Sequence, residues 1–241
     1  MPAFRTLPLA ALLACLLLGA CRQSAESTPK AGSAPQAVPA TASEAASWDA
    51  TVDAFIDAYF DHYPTFAASA GKHEYDGKLP DYSAAALTAT AGWLHAQRDA
   101  IAAFGDDRLD AGQRFQREYV LAVIDGQLFT LEDSGFPYNN PAFYAGDLSP
   151  SMYLTRPYAL LAQRMAAFVA YQEALPKAIE QIRANMKTPL PASYVDLGVA
   201  TFGGYSSFFS DDVPAIFADI HDEALQARFK ASNAAAIKAT R

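Results

Sequence analysis

From Trp48 onward the large apolar residues recur at intervals of three and four, and no window alternates apolar with polar residues. That pattern fits helices with one buried stripe and leaves nothing that competes as a half-buried strand. Val52, Phe55, Ile56, Tyr59 and Phe60 follow the spacing i, i+3, i+4, i+7, i+8, and Ser47 can cap the helix they define. Pro64 opens a second, short helix that Gly71 can end, after which Asp76-Gly77 and Pro80 mark a turn. Ser83 caps an alanine-rich helix running through Leu87, Leu94 and Ile101 to Gly105. The next helix, capped by Asp110, carries two apolar stripes: Phe115, Tyr119, Ala122 and Val123 on one, Val120, Ile124, Leu128 and Leu131 on the other. Two stripes predict burial between neighbours on both sides.

Residues 133–147 are aromatic, contain Pro137 and Pro141 and have no helical period, which predicts a packed loop. Helix resumes near Ser149-Pro150 or at Pro157, runs through Leu160, Leu161, Met165, Phe168 and Val169, and meets Pro176, which kinks it or starts the next. After a break at 188–191, the residues from Tyr194 to Phe209 mark an amphipathic helix interrupted by Gly203-Gly204. Asp211 or Asp212 caps another, with Ile216, Phe217, Ile220, Ala224 and Leu225 facing inward. The last segment, 232–241, is helical and stops in mid-pattern without a closing cap, which reads as a cut. The fold class is therefore all-α, an irregular multi-helix array.

The chain before this body is of a different kind. Residues 1–20 combine one positive charge, Arg5, with an apolar run rich in leucine and alanine, as an export leader does. The run is shorter than the roughly 20 apolar residues a spanning helix needs. It ends in Leu18-Gly19-Ala20-Cys21, small residues ahead of a cysteine that suits a lipoprotein processing site, so Cys21 is expected to carry lipid. The plainer alternative is an ordinary leader cut near Ala20 with Cys21 incidental. Acyl chains contribute roughly 0.8 kcal/mol per buried methylene, enough for several chains to hold the protein on a membrane. Residues 21–46 are then the lipidated cysteine and a tether of Ser, Ala, Pro, Thr, Gln and Glu that cannot bury enough apolar surface to order itself. Arg22 behind the cysteine favours an outer membrane and a periplasm-facing body, 47–241.

Cys15 falls in the leader and Cys21 under the lipid, which leaves the mature chain no thiol for a disulfide, a thiolate metal site or a cysteine nucleophile. The formal charge of −8 gives no attraction for nucleic acid, and no such partner is expected. The four histidines, at 62, 73, 95 and 221, have no partner at the i, i+4 spacing of a zinc-binding helix. His73-Glu74 begins such a motif but runs into the Gly77 turn. Neighbouring groups in His221-Asp222-Glu223 point in different directions on a helix and read as a solvated face. Asp106-Asp107 and Asp211-Asp212 read as capping carboxylates, and Ser206 lacks the elbow of a serine nucleophile and reads as a packing residue. Gly203-Gly204 reads as close helix packing or a kink. The aromatic cluster from Phe136 to Tyr158 suits core packing better than a ligand groove. No catalytic, cofactor-binding or metal-ligating residue is assigned.

Tyr63-Pro64-Thr65-Phe66-Ala67, continued by residues 71–81, resembles the opening of a bacterial family known as domain of unknown function 885. Asn140-Pro141 with Tyr144, Arg164 to Tyr171 leading into Pro176, and Ala184-Asn185-Met186-Lys187-Thr188-Pro189 resemble it in order and spacing. The resemblance spans residues 48–241. It implies an exported, largely helical protein, much longer than this chain and grouped with zinc peptidases. The family's H-E-x-x-H helix lies beyond the matched region, so no ligand or general base carries over to this sequence. On that footing the chain is the amino-terminal part of a zinc-dependent hydrolase, an incomplete half of a larger zincin-like helical fold. It is inactive alone, has no cofactor of its own, and is partnered by a membrane through its anchor and by a missing carboxy-terminal catalytic segment. Zinc is expected only in a full-length relative. The alternative is a non-enzymatic helical lipoprotein, a binding or scaffold module.

Overall fold

The helical spacing becomes helices α1 (Trp48–His62), α2 (Pro64–Ser69), α3 (Ala84–Ala102), α4 (Ala111–Leu128), α5 (Phe136–Asn139), α6 (Ser151–Thr155), α7 (Leu161–Asn185), α8 (Ala192–Asp211), α9 (Val213–Ile216) and α10 (Glu223–Thr240). These come from a computed structural model that describes residues 47–241; the expected leader, Cys21 and the expected linker lie outside the described residues. There is no strand among the described residues.

Local chemistry sets where several helices begin. Ser47 Oγ accepts from the Ala50 N–H at 3.2 Å, and Ser83 Oγ accepts from the Ala86 N–H at 3.2 Å. Asp110 accepts from the Gln113 N–H at 2.8 Å while the Gln113 side chain accepts from the Asp110 N–H at 3.1 Å, a reciprocal capping box. Asp222 accepts from the Leu225 N–H at 2.9 Å. Each bond satisfies a first-turn donor that the helix itself leaves unpaired.

The interior is divided into two apolar clusters. One is built by α1, α3 and α4 from Trp48, Phe55, Leu94, Ile101, Ile124 and Leu128. The other surrounds α7, whose Met165, Phe168, Tyr171 and Leu175 meet Phe209 of α8, Phe217, and Phe229 of α10. Each such side chain contributes about 1.5–3 kcal/mol when fully buried. Gln172 of α7 is also fully buried, and it is hydrogen bonded to Ser232 and Asn233 of α10. The turn at 76–77 closes on the same helix: Gly77 has φ +80°, and a Cβ there would lie 2.6 Å from the Ala170 Cβ. Only glycine allows both that backbone and that approach.

Several local expectations are corrected. Helix α4 is buried along one stripe: Ile124 and Leu128 face the core, while Phe115 is 73% and Tyr119 65% exposed. Ile56 of α1 likewise faces outward. Helix α8 runs through Gly203-Gly204 without interruption, and a Cβ at either glycine would meet nothing within 4 Å, so they mark neither tight packing nor a break. At Pro176, where the sequence left a kink or a new helix open, α7 continues and no new helix starts. The segment after Asp212 is a single turn, α9, and Asp222 caps the long helix that follows, so His221 and Asp222 precede the helix. The expected loop 133–147 is mostly short helical turns, preceded by a π-helical turn over Phe129–Asp133.

Candidate functional site

The four histidines are scattered. His62 Nδ1 lies 3.1 Å from Thr90 Oγ1 and its ring stacks on Trp93. His73 stacks on Tyr158 and lies 3.3 Å from Asp76; His95 pairs with Glu132 at 2.9 Å, and His221 is exposed. Among the described residues no three His, Cys, Asp or Glu side chains converge as metal ligands. A zinc ion of the kind the family resemblance implies does not fit this residue set. Asp106 pairs with Arg117 at 2.7 Å on the surface, Asp211 accepts from Ser210, and Ser206 is buried against the Ile237 carbonyl. Neither acidic pair makes the side-chain capping bond expected of it: the turn at 106–108 starts after Gly105, and Asp212 leaves the first turn of α9 without one.

The polar group that does stand out is Asp147, which follows the 141–145 turn where the two apolar clusters approach each other. Its carboxylate accepts from Tyr82 Oη at 3.3 Å and from Thr65 Oγ1 at 3.4 Å. Both are longer than a well-formed O–H···O bond of about 2.5–3.0 Å. Among the described residues no Lys, Arg or His nitrogen forms an ion pair with it. Burial pushes its carboxyl above the usual carboxylate range, with the two hydroxyl donors opposing. Burial likewise raises the phenols of Tyr59 and Tyr63, and the Asp147 charge adds to both shifts. Tyr63 Oη is buried without a hydrogen-bond partner.

Asp147 separates two cavities. One, about 340 Å³, has walls of Tyr59, Tyr63, Phe66, Tyr82 and Phe143. The other, about 280 Å³, is bounded by Ser69, Ser149, Ser151 and Arg156. The aromatic stretch read as core thus has two fates. Tyr144 and Tyr153 are buried and hydrogen bonded, Tyr144 Oη to the Pro137 carbonyl at 2.8 Å, while Phe143 lines a cavity. The sequence offered one hint of the site, a carboxylate at the end of an otherwise aromatic segment.

A third feature is an apolar groove of about 480 Å³ where α7 and α8 flank the end of α10. Ile182, Met186, Val195, Val199 and Phe202 line it, and Val199 is 70% exposed. Helix α8 reaches this position because Gly198 packs on Pro141, where a Cβ would come within 2.5 Å of the ring. No described helix is long and apolar enough to cross a membrane.

Comparison with known proteins places these features in a family. A search of curated proteins gives no match. Among solved structures, a candidate lipoprotein of unknown function from Shewanella oneidensis superposes with a TM-score of 0.72 at 25% identity. The match covers 81% of this chain and 36% of that one, so this chain spans about a third of its neighbour's length. The family model for bacterial proteins of unknown function, DUF885, matches residues 64–241, and the chain belongs to that family.

Proposed function

We propose that this chain is the amino-terminal helical portion of a lipid-anchored cell-envelope protein related to zinc-dependent hydrolases, with the catalytic chemistry carried by a segment outside residues 48–241. The apolar groove between α7 and α8 is the observation that carries this reading. Val195 and Val199 on its rim are exposed, and the match covers 36% of the superposed neighbour. A further helical segment of the family domain would cover it. In this reading α7 and α8 form one wall against which the catalytic half is built, and Cys21 holds the assembly to the membrane, in the outer membrane facing the periplasm.

Two measurements test the proposal. Cys21→Ser should abolish incorporation of labelled palmitate and release the protein from the membrane fraction. The chain itself should bind an apolar fluorescent dye at the groove, and Val199→Glu should reduce that binding. A chain that stays monomeric, melts sharply and binds no dye would remove the case for a missing partner segment. A second reading, a helical binding module that is not an enzyme, is favoured by the Asp147 cavity, whose walls all come from residues 59–147.

A further inference from the structure

The 340 Å³ cavity beside Asp147 has the dimensions of a site for one small organic molecule. Its chemistry is one-sided. Two carboxylates, Asp81 and Asp147, line it, and no lysine or arginine does. His62 is the one residue there able to carry positive charge, and burial lowers its pKa, which disfavours its charged form. Asp81 is satisfied, accepting from the Ser83 N–H at 2.9 Å and from Gln181 Nε2 at 2.7 Å. Asp147 is not, since it holds only two long bonds from hydroxyls. Asp147 is half-buried, and a partly desolvated carboxylate with neither a cation nor strong donors gains from a cation placed beside it.

Three independent features of the wall ask for the same ligand. Asp147 needs a positively charged donor. The buried Tyr63 hydroxyl, without a partner, can accept a hydrogen bond from that donor. The aromatic rings of Tyr59, Phe66, Tyr82 and Phe143 line the cavity, and an aromatic face attracts positive charge through its quadrupole. An anion would be repelled by both carboxylates. A neutral polyol could hydrogen bond but would leave the half-buried charge uncompensated.

We infer that this cavity binds a small organic cation, a primary or methylated amine, with Asp147 as its counter-ion and the ring faces of Tyr59, Phe66 and Tyr82 around its alkyl groups. An ammonium N–H donates to the Asp147 carboxylate and to Tyr63 Oη, and the methylenes or methyl groups meet the rings. The site is independent of the hydrolase reading, because every residue in it belongs to the described chain.

The test uses the full chain and two isosteric pairs that differ in charge: n-butylammonium against n-butanol, and choline against 3,3-dimethylbutan-1-ol. Saturation-transfer NMR and titration should give affinities for the cations at least roughly tenfold above those of the neutral partners. Asp147→Asn should lose that preference without lowering the melting temperature, which separates lost binding from lost folding. Phe66→Ala, at a ring that is 54% exposed and so not needed by the core, should weaken the cations several-fold. Equal binding of a cation and its neutral isostere, unchanged cation binding by Asp147→Asn, or no binding of either cation up to about 20 mM would each overturn the assignment. None of these outcomes bears on the groove between α7 and α8.

Discussion

Replacing Gln172 with methionine asks how firmly the buried polar cluster ties α7 to α8 and α10. Gln172 Nε2 donates to Asn233 Oδ1 at 2.6 Å, Gln172 Oε1 accepts from Ser232 Oγ at 2.9 Å, and Asn233 Nδ2 donates to the Phe209 carbonyl at 2.9 Å. Methionine has a similar length and helix preference, so neither backbone propensity nor volume changes much. The substitution strips Asn233 Oδ1 of its donor in the interior, whereas Ser232 Oγ keeps the Phe229 carbonyl at 3.1 Å. One orphaned buried acceptor costs about 1–3 kcal/mol. A loss of about 2 kcal/mol lowers the melting temperature of a body this size by about 4–8 °C. Asn233→Leu orphans both the Gln172 amide and the Phe209 carbonyl and should cost about 3 kcal/mol. Combining the two removes a mismatched pair together, so the double variant should be less damaged than the sum by about 1–2 kcal/mol. Thermal melts followed by far-ultraviolet circular dichroism give all four corners of the cycle. Strict additivity, or a Gln172→Met loss within about 0.5 kcal/mol of zero, would refute the reasoning.

Other outcomes follow from single positions. The fold holds the Asp147 proton more tightly than the unfolded chain does, because burial raises its pKa above the ordinary 3.8. The associated stability is therefore complete below that value and is lost as pH rises through the higher folded one. Asp147→Asn should accordingly melt above wild type at pH 8, with the gap closing in acid; a gap that widens in acid would reverse the sign of the argument. Gly77→Ala should cost about 2–4 kcal/mol, from a left-handed backbone plus the overlap with Ala170. Gly71→Ala, at φ +94° with open space around it, should cost only about 1 kcal/mol. Denaturant titration of the pair checks whether the close approach or the backbone dominates. Phe115→Ser should change stability by less than about 0.5 kcal/mol, while Ile124→Ala on the opposite stripe of α4 should cost about 2–5 kcal/mol. Similar losses at the two positions would mean that both stripes are covered.

The starts of α1, α3 and α4 were legible because a cap is local: Ser47, Ser83 and Asp110 each bond an N–H three residues ahead. The all-helical class was legible for a related reason, since apolar spacing is a property of the neighbouring sequence. What failed depended on distant chain. Two apolar stripes on α4 look alike until the fold places the first core against Ile124 and leaves Phe115 outside. Gly203-Gly204 reads as an interruption on propensity alone, yet a glycine in an exposed helix costs only about 1 kcal/mol, which packing elsewhere along α8 outweighs. The Asp147 cavity was the least visible. Tyr59 and Tyr63 belong to one end of α1, Tyr82 to the approach to α3, and Phe143 and Asp147 to a segment read as loop. Only long-range packing gathers them.

The split of the interior has a mechanical corollary. A protein with one core opens all at once, whereas one whose α1, α3 and α4 pack around Trp48 and Ile124, and whose α7, α8 and α10 pack around Phe168, has two units that can loosen separately. Deuterium should then enter the amides of α4 under conditions that leave those of α7 protected, because α7 is buried on several sides and α4 on one. The Asp147 cavity lies along the line where the two units would part, so a guest held there acts as a clasp, and filling it should slow exchange in both units together.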